Sequence, residues 1–188
     1  MTAVRVAVLA SGGGTNLQAL LDALTGSPVA RMARVISNRP DAGAVDRARR
    51  AGVPTTVLRD PNDPAELLTA LGDAQLVVLA GYLKLIPAPV VARFRGRMIN
   101  IHPALLPDFG GPGMYGHRVH EAVLASGAME SGVTVHFVDE AFDRGAIIAQ
   151  MRVPVERGDT PDTLATRVLE AEHQLLPKVV LDLAARIR

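Results

Sequence analysis

The 188-residue chain has no cysteine and no tryptophan, only four Phe and two Tyr, and lysine only at Lys84 and Lys178. Without cysteine, disulfides, thiolate metal sites and cysteine nucleophiles are excluded together. Lysine confined to two positions leaves Schiff-base chemistry little choice. So few rings argue against a base-stacking platform for nucleic acid. Twenty basic residues against nineteen acidic ones leave a formal charge of +1, which gives no electrostatic footprint for nucleic acid or an anionic membrane. No apolar run nears the ~20 residues a bilayer crossing needs. The first ten residues lack a basic flank, a long apolar stretch and a cleavage signal. The expectation is a soluble, cytoplasmic protein with no nucleic-acid or membrane partner.

What is present alternates. Apolar runs at residues 4–10, 34–37, 55–58 and 76–80 are strand-like, and helical patterns fall between them at 16–24, 42–51 and 64–71. Strands and helices alternating at this pitch predict βαβ units on a parallel sheet, hence a doubly wound α/β fold. The second half differs. Residues 97–102 read as a strand, 108–116 as a glycine-dense loop and 119–125 as a short helix. Residues 133–138 and 146–155 read as an antiparallel hairpin, and a last helix runs from about 161 to 187 with a kink expected at Pro177. The length suits one domain, 1–188, with halves at 1–96 and 97–188.

Four features can carry chemistry. Ser11-Gly-Gly-Gly-Thr-Asn-Leu-Gln18 follows a strand and opens a helix, where backbone N–H groups and the helix dipole favour an anion. It lacks the acidic residue of a dinucleotide fingerprint and the Gly-Lys-Ser/Thr of a P-loop. A small phosphate-binding turn and a tight structural βα turn both remain open. In Asn100-Ile-His-Pro-Ala-Leu-Leu-Pro107, strand alternation puts Asn100 and His102 on one side, at the strand end where ligands bind such sheets. An amide donor beside an imidazole suits an oxyanion and a proton transfer. Asp139, Glu140 and Asp143 crowd the hairpin connection, either as solvated turn residues or as site carboxylates, and His136 faces either a pocket wall or solvent. In the last helix Glu172 falls about 40° from Val168, inside the apolar stripe, so it must be paired or reach a polar cleft.

These motifs together resemble the folate-dependent formyltransferase family, and within it the phosphoribosylglycinamide formyltransferases. The resemblance runs essentially end to end, through residues 11–18, 77–82, 100–107 and 132–145 and Glu172-His173. It implies transfer of a formyl group from 10-formyltetrahydrofolate to the amine of glycinamide ribonucleotide in de novo purine biosynthesis, without a metal, by a monomer or homodimer. Gly14, Thr15, Asn16, Leu17 and Gln18 would then hold the phosphate, and Leu169, Glu170, Ala171 and Glu172 the glycinamide end. Asn100 would bind the formyl oxygen and His102 would transfer protons. Asp143 would orient His102 and raise its pKa. Leu83, Lys84, Leu85 and Ile86, with Asn100, Asp139, Glu140, Ala141, Phe142 and Asp143, would line the folate pocket.

The chain departs from the family's pattern in three places. The stretch between Thr56 and Leu76 is shorter and lacks an expected Arg. Lys84 stands where Arg is common, and the loop at 108–117 is longer and richer in glycine. The rival activity is formyltetrahydrofolate hydrolysis with the same three residues. A deformylase resembles this chain only after an added N-terminal domain, and a methionyl-tRNA formyltransferase carries an added C-terminal one. A nicotinamide-binding module fits the glycine loop alone, and a non-catalytic sensor on the same fold is the remaining alternative.

Overall fold

The structure, a computed structural model, describes residues 2–187. The elements in chain order are β1 (Val4–Leu9), α1 (Thr15–Leu24), β2 (Ala30–Ser37), α2 (Gly43–Arg50), β3 (Thr55–Val57), α3 (Pro64–Leu71) and β4 (Leu76–Leu79). They continue with α4 (Ala88–Arg93), β5 (Met98–His102), α5 (His117–Ala125), β6 (Glu130–Phe137), β7 (Ile147–Pro154) and α6 (Pro161–Ile187). The strands form one seven-stranded sheet in the order β3-β2-β1-β4-β5-β6-β7. Strands β1 to β5 are parallel, and β6 and β7 run antiparallel as the expected hairpin.

Strand alternation builds two apolar layers. Val4, Val6, Val8, Leu76 and Val78 face the layer shared with α1, α5 and α6. Ala7, Leu9, Val77 and Leu79 face Leu67, Leu71, Val90 and Val91 of α3 and α4. Because β1 and β4 are neighbours while their connections lead to opposite sides, the sheet has its switch point there, and a crevice opens beyond the carboxyl ends of the strands. The chain leaves β1 at Ser11, whose N–H donates to the carbonyl of Gly81, just past β4.

Helix α3 starts and stops where expected, with the Asp63 side chain capping the N–H of Ala65 and Gly72 following its end. Helix α4 has no counterpart among the helical patterns of the sequence; Pro87 precedes it as the N-cap and Pro89 is its second residue. At both positions a missing N–H costs nothing. Strands β2 and β6 begin earlier than their apolar runs suggest, since sheet pairing carries polar positions along. Helix α6 continues through Pro177, which is buried.

Candidate active site

The site begins with sheet register. Asn100 of β5 lies opposite His136 of β6, and His102 opposite Thr134, so these side chains share one face. The β6–β7 register shifts between Val135 and His136, a bulge beside a site residue. The connection after β6 then brings Asp143 between them, in a left-handed conformation with φ 55°. One Asp143 oxygen, Oδ1, lies 3.3 Å from Asn100 Nδ2 and 3.4 Å from His136 Nε2. The other, Oδ2, accepts from the Gly111 N–H at 3.0 Å and faces His102 Nδ1 at 3.5 Å.

The hydrogen bonds fix the protons on both rings. His136 Nδ1 donates to its neighbour's carbonyl, that of Phe137, at 2.8 Å, so its Nε2 accepts from the Asn100 amide at 3.1 Å. His102 Nε2 donates to the carbonyl of Phe109 at 2.8 Å. Burial pulls the His102 pKa below its ordinary value; Asp143 and the Phe109 carbonyl oppose this without overcoming it, and His136 adds to the lowering. The expected upward pull of Asp143 on His102 is present, but the net shift is downward. A ring only 3% exposed loses more hydration than one carboxylate restores. For Asp143 burial is the largest effect and pushes upward. The His136 and His102 rings beside it and the Gly111 N–H together still hold it below the usual carboxylate value. The resting state is an ionised Asp143 beside a neutral His102.

These groups open into a cavity of about 550 Å³. Leu83, Lys84, Leu85 and Ile86 form one wall, and Asp139, Ala141, Phe142 and Asp143 another, with Leu169 and Glu172 on α6. Glu140 lies outside the lining and is exposed, as is Glu170, while Ala171 packs into the core. The sequence reading passed over Tyr82, Tyr115, His117 and His120, which also line it. Burial, with His117 and His102 nearby, pushes His120 down to about 4. Strand alternation left His136 open between pocket wall and solvent, and the 132–145 stretch of the resemblance contains it. Tyr82 closes the 77–82 stretch of the resemblance, while Tyr115, His117 and His120 lie in none of its stretches.

Of the glycine turn, Asn16 reaches this cavity, while Gly14, Thr15, Leu17 and Gln18 lie outside its lining. Asn16 Nδ2 donates to Glu172 Oε2 at 2.8 Å, joining the start of α1 to α6. Among the described residues no cation pairs with Glu172, and burial raises its pKa to about 7 against the relief given by Asn16. Helix α1 starts from Gly14 without a side-chain cap, so its first amides stay open. The Gln18 N–H is spent on the Gly14 carbonyl, and its side chain bonds Asp22 and Arg47.

A glycine turn with open amides and an amide–imidazole–carboxylate group along one crevice suit group transfer on a doubly wound sheet. The profile of the formyl transferase family matches residues 4–180, and the chain belongs to that family. It is 46% identical over 186 residues to the chloroplastic phosphoribosylglycinamide formyltransferase of Arabidopsis thaliana, covering 94% of this chain and 64% of that protein, just under two thirds. With the phosphoribosylglycinamide formyltransferase of Haemophilus influenzae it shares 40% identity over 185 residues, covering 94% of this chain and 85% of the relative. The crystal structure of phosphoribosylglycinamide formyltransferase from Anaplasma phagocytophilum superposes with a TM-score of 0.90 at 39% identity, covering 97% of this chain and 87% of that one.

Proposed function

We propose that this chain transfers the formyl group of 10-formyltetrahydrofolate to the amine of glycinamide ribonucleotide, in the cytoplasm, as a monomer or homodimer working on small molecules alone. The observation that carries the reading is the convergence of Asn100, His102 and Asp143 on one cavity that Asn16 and Glu172 tie to the glycine turn. In this reading the turn takes the phosphate, and Glu172 lies toward the glycinamide end. The wall of Leu83, Lys84, Leu85 and Ile86 takes the folate with the 139–143 loop. Residues 1–188 act as one catalytic unit.

The chemistry follows from the geometry. The neutral amine adds to the formyl carbonyl and leaves negative charge on oxygen. Both N–H groups of Asn100 are engaged at rest, so the oxyanion takes over one of them; a donor of this kind typically contributes ~2.7–4 kcal/mol to the transition state. Neutral His102 accepts the proton that the amine nitrogen sheds, and Asp143 stabilises the imidazolium so formed. His102 then returns the proton to the departing folate nitrogen. A lowered resting pKa suits this order, since the ring must start unprotonated. No step calls for a metal.

The test is to follow loss of 10-formyltetrahydrofolate with and without glycinamide ribonucleotide. Turnover that requires the amine is the expected result. Equal turnover without it overturns transfer in favour of hydrolysis.

A further inference from the structure

Helix α2 lies against the glycine turn, and its contacts there have so far had no role. The N–H of Ala44 donates to the carbonyl of Gly12 at 3.1 Å, and the Arg47 Nε donates to the carbonyl of Gly13 at 2.8 Å. In a trans peptide the C=O and the following N–H point in opposite directions. Holding the Gly12 and Gly13 carbonyls toward α2 therefore turns the N–H groups of Gly13 and Gly14 away from it. Those two N–H groups have no partner among the described residues. They lie beside the open first turn of α1 and extend its row of unpaired donors.

The approach of α2 is close enough to select residues on both sides. A Cβ on Gly14, which has φ 75°, would fall 2.6 Å from the Ala44 Cα, and one on Gly43 would fall 2.9 Å from the Gly13 carbonyl oxygen. Arg47 adds a second prong, with Nη1 at 3.3 Å from Gln18 Oε1 on α1. Its guanidinium thus spans the turn and the helix that the turn opens. Two of its five N–H groups are used, and a full positive charge stands behind the donor row.

We infer that Arg47 is a positioning residue for the substrate phosphate: it pins the Gly13–Gly14 peptide so that the turn presents its amides to the anion. This rests on the phosphate reading of the turn given above. Substrate need not touch Arg47. Its effect passes through the Gly13–Gly14 peptide and, at short range, through its charge. Lysine keeps the charge but cannot span two acceptors from a planar fork.

The experiment compares Arg47→Ala and Arg47→Lys with the unaltered protein on two acceptors, glycinamide ribonucleotide and the same molecule without its phosphate. With the ribonucleotide, Arg47→Ala is expected to raise KM by about tenfold or more, the scale of a lost charged hydrogen bond. The kcat should stay within about twofold, since the reacting groups are untouched, and Arg47→Lys should recover part of the loss. With the dephosphorylated acceptor the same variants should cost nothing further. If both acceptors suffer equally, Arg47 merely supports the fold and the inference fails. If the unaltered protein prefers the ribonucleotide and Arg47→Ala keeps that preference in full, the inference fails alone. If the unaltered protein transfers formyl but ignores the phosphate, the phosphate reading fails and takes the inference with it.

Discussion

Asp143 faces four groups with two oxygens, and that arrangement makes single-atom changes informative. Asp143→Asn keeps the shape but removes the charge that the His102 imidazolium needs, and His102→Ala removes the proton carrier. Each is expected to lower kcat by ~10²-fold or more, with affinity for the ribonucleotide within about threefold, because neither residue belongs to the turn. Steady-state kinetics and binding by calorimetry check both halves, and near-normal kcat in either variant would sink the assignment. Glu172 gives a pH test. Its pKa in the fold, about 7, lies above the ordinary 4.5, so between those values the folded chain holds a proton that the unfolded chain has released. Stability is therefore lost as pH rises from about 4.5 through 7, by an amount on the order of 3 kcal/mol. Glu172→Gln should raise Tm at pH 8 and gain little at pH 5; a pH-independent difference would refute the burial argument. Tyr82 tests the same physics without charge. Its buried hydroxyl has no partner among the described residues, and burial pushes its pKa up to about 12. Tyr82→Phe should be neutral or stabilising by up to about 1 kcal/mol in urea unfolding.

At the scale of elements, the glycine turn separates backbone need from mere openness. Gly14→Ala forces a side chain into a left-handed conformation and against α2 backbone that cannot retreat, so a loss of roughly 2 kcal/mol or more is expected. Gly12→Ala meets nothing within 4 Å and should change stability by less than about 0.5 kcal/mol. Equal losses from the two, measured by urea unfolding, would contradict this account of the turn. The same scale shows how far local signals reach. Helix α3 was readable to both ends because its cap, its proline and its closing glycine all act within one turn. Helix α4 was not, because the prolines that mark its start are also the residues that end helices elsewhere. His136 stood undecided between pocket and solvent, since alternation tells which positions share a face but not what covers that face.

For the molecule as a whole, both halves of the chain contribute to one sheet and to the larger of its two apolar layers. Val4 and Val8 from the first half pack in the same layer as Val133, Leu176 and Val180 from the second. The layer under α1, α5 and α6 cannot close without both halves, although 1–96 builds nearly all of the α3–α4 layer with Met98, so a single cooperative transition is expected. Circular dichroism and hydrogen exchange should report the same midpoint; an early-melting half would contradict the packing. Fold class, the glycine turn opening α1, and the shared side of Asn100 and His102 were all legible in sequence. Each depends on periodicity and on neighbours a few residues apart. The pairing of Asn16 with Glu172, 156 residues away, and the seating of Asp143 between two histidines were not, because packing brings those groups together. The protonation state of His102 followed the same rule. Proximity to a carboxylate argued for a raised pKa, and the depth of burial, which the completed fold sets, reversed the sign.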